Sequence, residues 1–305
     1  INDQFYSVNL YSGHKEDSIW NVGNIVTSNE LLGESYSDGS FDKNGEFYFS
    51  RQLENLNYEL VKAKFLTEEI LLEKNTIKYK FKLGVIEPVF ENLNNRKYNF
   101  RNPFVFNSEG VKYLLFSSNK PGGSGKMDLW YSENREGKWG NPKNLGSTVN
   151  SPGDEIGPNY NLNSNRFYFS SNWHYGLGGF DLFEAVGPWK KPTDVLNMGI
   201  PFNSSFNDLY IAPYDSIRGL FTSSRIGSKT TKDAVCCNDL YEFRAALPEV
   251  DSALVEITDF LSRDSIMKRL QRLVEEFHVT LYFHNDRPNP DSWDTTTQYS
   301  YLETY

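Results

Sequence analysis

Four segments of this chain carry the same short signature: Phe49-Ser50-Arg51, Phe116-Ser117-Ser118-Asn119, Phe169-Ser170-Ser171-Asn172 and Phe221-Thr222-Ser223-Ser224. Their Phe positions lie about 50 to 70 residues apart, and self-similarity at such a period marks a repeat architecture. Downstream of three of them stand Asp128-Leu129-Trp130, Asp181-Leu182-Phe183 and Asp239-Leu240-Tyr241, with a weaker counterpart at Tyr58-Glu59-Leu60. The second and third units also share a tail, from Trp139 to Asn150-Ser151 and from Trp189 to Asn203-Ser204.

Each unit reads as a four-stranded meander. In the third, Gly157–Leu162 is an inner strand, Asn163-Ser164-Asn165 a turn, Arg166–Ser171 the second strand and Phe180–Ala185 the third, closed by a Trp-containing outer strand. The 15% aromatic content, with 22 Phe and 19 Tyr against 3 Met, suits strands, which favour ring side chains. Short strands, Gly-rich turns and this period predict an all-β, β-propeller fold over residues 1–247. Asp3-Gln4-Phe5-Tyr6 with Trp20 parallels the outer half of a blade. The expectation is therefore five blades, or six if further chain precedes Ile1. Residues 67–74 read either as a short helix or as an extended outer hairpin. Beyond Phe243 apolar residues recur at spacings of three and four, which predicts a helical linker over 248–278. Val279–Phe283 then reads as the first strand of a second domain covering 279–305.

Several chemistries fall away. A net charge of −9 without a basic stripe disfavours nucleic acid, whose phosphates are held by clustered Lys and Arg. No apolar run reaches the roughly 20 residues of a membrane-spanning helix. Gly122-Gly123-Ser124-Gly125-Lys126 lacks the leading Gly and the trailing Ser or Thr of a phosphate loop, and its glycines align with those of the repeat turn. There is no Gly-x-Ser-x-Gly elbow, and His14, His174, His278 and His284 are dispersed. No cofactor and no metal set is expected. The recurring Asp128, Asp181 and Asp239 read as acceptors for backbone N–H groups of the Gly-rich turns. Asp154-Glu155 and Asp208 sit at inner-strand entries, where paired acids would line a channel mouth and suit a cation. Cys236 and Cys237 admit three readings: two buried thiols, a vicinal disulfide, or a redox switch. Trp173, His174 and Tyr175 occupy a blade-connecting loop and are candidate contacts for a partner or ligand.

The stretches Phe116–Trp130 and Phe169–Phe183 resemble the WD40-like repeat of TolB-type propellers. Leu281–Pro288, with Thr295-Thr296-Thr297 and Tyr299–Tyr305 behind it, resembles the opening of an OmpA-like domain in envelope proteins of Bacteroidetes-type bacteria. That resemblance implies a periplasmic location at the outer membrane. It also implies attachment to peptidoglycan through the α/β OmpA-like domain, truncated here, and outer-membrane complex subunits as partners. The expectation drawn from it is a non-enzymatic scaffold of a secretion, barrel-assembly or gliding complex. Two other readings stand beside it. One is a glycan- or peptide-binding module with Trp173, Tyr175 and Trp189 around a pocket. The other is an enzyme using an acid pair in the channel.

Overall fold

The computed structural model describes residues 11–16, 19–25, 36–72, 76–90, 97–215, 217–228, 238–245 and 279–283. These residues are all-β, without a helix, and form a β-propeller of four blades. The first blade runs through β3 (Tyr36–Phe41), β4 (Glu46–Gln52), β5 (Tyr58–Leu72) and β6 (Thr76–Leu83), with β7 (Glu87–Pro88) also on β5. It follows a separate hairpin of β1 (Tyr11–Glu16) and β2 (Ile19–Ile25), which contains Trp20. The second blade comprises β8 (Phe100–Ser108), β9 (Val111–Ser118), β10 (Asp128–Arg135), β11 (Lys138–Trp139) and β12 (Lys143–Asn144). The third comprises β13 (Glu155–Asn161), β14 (Arg166–Ser171), β15 (Asp181–Val186) and β16 (Asp194–Asn197). The fourth is opened by β17 (Asp208–Pro213) and continued by β18 (Arg218–Ser223), β19 (Asp239–Ala245) and β20 (Val279–Phe283). Among the described residues no helix is long and apolar enough to cross a membrane.

The chain divides into two compact units, Ile1–Ile211 and Ala212–Tyr305. In the second, β18 pairs antiparallel with β19, and β19 with β20. The strand expected at 279–283 is thus present, on the edge of a blade sheet. The linker expected over 248–278 and the adjacent Cys236 and Cys237 lie outside the described residues. Of residues 67–74, 67–72 are described and are strand, since β5 continues to Leu72 and pairs with β6, the hairpin alternative. The expected Trp-containing outer strand holds for Trp139 in β11 but not for Trp189, whose blade is closed by β16.

The packing of the first unit follows from the two-residue period of a strand. In β9, Tyr113 and Leu115 face the third blade, where they join Leu129, Phe167, Phe169 and Phe183. Leu114 and Phe116 face the first blade, with Tyr48, Leu60 and Trp130. Both faces of the middle strands are therefore buried, which is why Tyr113-Leu114-Leu115-Phe116 reads as an unbroken apolar run. Trp189 is only 9% exposed and sits in this interblade core, edge-on to Phe106, Tyr113 and Tyr131.

The repeated polar residues close the blades. Asp128 accepts from the N–H groups of Ser124 and Gly125, and Asp181 from those of Leu177 and Gly178, the role expected for them. The side-chain amide of Asn150 bonds both backbone groups of Leu129, at 2.7 and 3.0 Å. Asn203 does the same for Leu182, at 2.7 and 2.9 Å. Each amide thus continues the pairing that β12 and β16 begin on the outer edge of β10 and β15.

Both amides are buried, and each satisfies one backbone N–H, of Leu129 or Leu182, and shares the carbonyl of the same residue with Leu145 N or Met198 N. Replacing Asn150 or Asn203 by Ala is expected to lower stability by about 1–3 kcal/mol, from the lost hydrogen bonds and the one buried N–H left without a partner. Urea unfolding checks it, and a loss below about 0.5 kcal/mol contradicts the assignment.

Candidate functional site

The inner strand of each blade carries one residue in the left-handed backbone region, at an equivalent place. These residues are Asp38 (φ 50°) in β3, Asn102 (φ 54°) in β8, Gly157 (φ 60°) in β13 and Tyr210 (φ 56°) in β17. In the first three strands the pairing register slips at this point, between Ser37 and Gly39, Arg101 and Phe104, and Ile156 and Asn159. A bulge of this kind breaks the in-out alternation and re-aims a side chain. The second-strand Ser of the repeat signature holds two of these positions. Asn102 N donates to Ser50 Oγ and Tyr210 N to Ser170 Oγ, both at 3.2 Å. The equivalent Ser117 Oγ has no hydrogen-bond partner among the described residues.

All four residues belong to the first unit, and they meet. Arg101 Nη2 lies 3.6 Å from Asp38 Oδ2, which also accepts from Ser37 Oγ at 3.0 Å. Arg101 Nη2 itself approaches Ser37 Oγ at 3.4 Å, and its guanidinium lies 4.4 Å from the Tyr58 ring centroid. A side chain at position 157 would place its Cβ 2.7 Å from Tyr210 Cδ1, so only Gly lets the phenol ring lie across the third inner strand. Tyr210 in turn interacts with Asp38, Arg101 and Asn102, which closes the ring from the fourth inner strand back to the first.

Burial dominates the electrostatics. Desolvation raises the Asp38 carboxyl above its ordinary value, against the opposing pull of the Arg101 charge and of hydrogen bonds from Ser37 and Asn102. Desolvation, with the nearby Asp38, pushes the Tyr210 phenol up to about 12. Asn102 is only 6% exposed and its amide faces both Asp38 and Tyr210, while the buried Nε of Arg101 completes no hydrogen bond among the described residues. A carboxyl whose pKa burial raises, a guanidinium, an amide and a phenol therefore converge. Such a cluster can hold a polar ligand and give it a proton.

The residues singled out from the sequence are placed elsewhere. Trp173 and Tyr175 are exposed on their loop, Tyr175 almost wholly (97%). His174 turns inward, packs against Phe169 and Phe183, and its Nε2 bonds Val149 O at 2.7 Å. Trp189 is buried away from both exposed rings, so the three do not form one pocket. Glu155 is spent on Ser151 N and the hydroxyls of Ser151 and Ser171, and Asp208 on Ser204 N and Oγ. Asp154 pairs with Asn172. Among the described residues no group of three or more His, Cys, Asp or Glu is placed to hold a metal ion. The ring of left-handed residues went unseen because its members are four different residue types. Their shared position, about a dozen residues ahead of each signature Phe, is the signal that would have found them.

No family model matches this chain, and no curated protein matches it in sequence. Solved structures do match in fold. A levansucrase variant from B. megaterium aligns with 78% of this chain and 75% of its own, at TM-score 0.44 and 11% identity. An alpha-L-arabinanase from Penicillium chrysogenum, complexed with arabinobiose, aligns over 77% and 70%, at TM-score 0.39 and 14% identity. An alpha-L-arabinofuranosidase from Fusarium graminearum aligns over 77% and 69%, at TM-score 0.39 and 13% identity. At these identities the likeness is one of fold, and the activities are those of the proteins named. It nevertheless corrects the expectation of a non-enzymatic scaffold, and with it the expectation that the chain is no enzyme: these similar propellers are glycan-processing enzymes. The physical reason lies in the ring. The acids expected at the inner-strand entries are held by their own blades, and it is the strand bulges that bring Asp38 and Arg101 together.

The Asp38 assignment has a consequence for stability. A carboxyl whose folded pKa is raised favours the fold below the unfolded pKa, and that contribution is lost as pH rises through the folded pKa. Above it, the ionised Asp38 costs stability. Asp38→Asn is therefore expected to raise the urea midpoint at pH 7, with the gain disappearing below about pH 4, where Asp is protonated in both states. A variant less stable than the parent at pH 7 contradicts the assignment.

Proposed function

We propose that the chain is a glycan-processing propeller whose site is the ring of Asp38, Arg101, Asn102 and Tyr210. The observation that carries this reading is the Asp38 carboxyl, raised by burial and facing the Arg101 guanidinium, the Asn102 amide and the Tyr210 phenol. Sugars present many hydroxyl groups that both donate and accept, and a dense cluster of mixed polar groups backed by an aromatic ring suits them. In this reading Asp38 gives its proton to the bridging oxygen as the glycosidic C–O bond breaks. Water then adds to the anomeric carbon and its proton returns to the Asp38 carboxylate, so hydrolysis leaves the protein unchanged. Arg101 and Asn102 orient the sugar, and Tyr210 forms a wall over Gly157.

The periplasm is the compartment we propose for it, the setting implied by the resemblance of its repeat and C-terminal segment to envelope proteins. The proposed cleavage is tested with a panel of neutral and acidic oligosaccharides, following release of new reducing ends. The parent protein is expected to cleave at least one, and Asp38→Asn to slow that cleavage by about a hundredfold or more. The same variant is the one expected to fold well at neutral pH, so loss of activity with retained folding supports the acid role. No cleavage by the parent, or equal rates for parent and variant, overturns it.

A further inference from the structure

The third blade differs from the second in one respect that blade construction does not require. In both, a loop joins the second strand to the Asp of the third, over residues 119–127 and 172–180. The two loops are anchored alike. Lys120 N donates to Ser118 Oγ at 3.2 Å and Trp173 N to Ser171 Oγ at 3.1 Å, and the Asp at the far end gathers two turn N–H groups. Between these anchors the second blade has Lys120-Pro121-Gly122-Gly123-Ser124-Gly125-Lys126-Met127, and Lys120 folds back to 3.9 Å from the Trp130 ring centroid. The third has Trp173, His174, Tyr175 and Leu177 instead. The repeat closes without aromatic residues here, so blade construction does not account for Trp173 and Tyr175.

The loop holds these two rings outward. His174, between them, packs inward on Phe169 and Phe183, while Trp173 stays 59% exposed and Tyr175 almost wholly so. Ser171 Oγ also accepts from His174 N, and Asn197 Nδ2 donates to Tyr175 O at 3.1 Å. The backbone is thus fixed before any ligand arrives, which lowers the entropic cost of binding. Trp173 stands at the entry to β13, where a Cβ on Gly153 would lie 2.6 Å from its own Cβ. Tyr175 is tied through Asn197 to the end of β16. The pair therefore runs from the inner strand toward the outer edge of the blade, at the end of β13 that holds the Gly157 bulge.

Charge and area define what such a pair suits. Residues 172–180 contain no Lys, Arg, Asp or Glu, and Asp154 accepts from Asn172 Nδ2 at 3.0 Å beside them. An acid without a cation, on a chain of net charge −9, disfavours an anionic partner. Each ring buries only about 150–250 Å² when covered. The two fall short of the roughly 800 Å² per partner of a stable protein interface. They match a sugar chain, whose C–H faces lie flat on an aromatic ring while its hydroxyls reach polar neighbours such as Asn172 and Asp154.

We propose that Trp173 and Tyr175 form an outer stacking subsite for a neutral glycan chain laid across the third blade. This rests on the reading of the protein as glycan-processing and gives its substrate a second contact, away from Asp38. Hexasaccharides of β-glucan, mannan, galactan and arabinan are titrated calorimetrically into the full chain, and the same panel is assayed for cleavage. At least one is expected to bind, with Trp173→Ala and Tyr175→Ala each weakening it about fivefold or more, and Tyr175→Phe, which keeps the ring, nearly as tight as the parent. Both side chains lie outside the core, and thermal unfolding checks that the variants fold. No hexasaccharide bound, or equal affinities for parent and both Ala variants, overturns the subsite. Cleavage that persists with equal affinities overturns the subsite alone. Ring-dependent binding without cleavage keeps the subsite and overturns the catalytic reading. A parent dimer that Tyr175→Ala dissolves, without ring-dependent glycan binding, makes the rings and the exposed Leu177, Leu196 and Ile200 an interface between copies and overturns the glycan assignment.

Discussion

The structure turns on one backbone constraint: each inner strand holds a single residue in the left-handed region where the four strands meet. This is where β3, β8 and β13 slip register, and where two of the signature serines reach from one blade to hold the next. A serine hydroxyl accepting one main-chain N–H is worth about 1 kcal/mol net. Its larger effect is geometric, because it fixes the residue at which the strand bends and so decides which side chains turn inward. The rings of Tyr113, Leu115, Leu114 and Phe116 then fill the spaces between blades on either side of β9. Packing supplies the bulk of the stabilisation, and the bulges supply the orientation.

Much of this was legible in the sequence because it repeats by residue type. The signature serines, the Asp that gathers turn N–H groups and the Asn of each tail recur as the same letters, so alignment exposes them and their recurrence points to construction. Strand limits followed for the same reason, with Arg166–Ser171 read directly from its apolar run and the turn before it. Trp189 was misjudged because an aromatic at a blade edge packs inward or outward according to its neighbours, and Phe106, Tyr113 and Tyr131 draw it in.

The site was not legible, for the opposite reason. Its four positions share a backbone conformation and no side-chain chemistry, so Asp38, Asn102, Gly157 and Tyr210 align with nothing by identity. Asp and Asn are common at positive φ and Gly is free there, which gives no hint of function. Tyr is the exception, and no pattern in its neighbours announces it. The approach of Arg101 to Asp38 crosses from one blade to the next and depends on a slip of register that composition does not encode.

Tyr210 has one more implication. A bulky aromatic residue in the left-handed region sits in a conformation that its own Cβ disfavours, at a cost on the order of 1–3 kcal/mol. Gly157, opposite, is the residue type that bears such a conformation without strain, and here its missing side chain makes room for the Tyr210 ring. The two positions are therefore coupled over evolutionary time: any lineage that enlarges residue 157 must first surrender the aromatic ring at 210. Drift at this centre is confined to paired changes, and the order in which they occur is set by sterics.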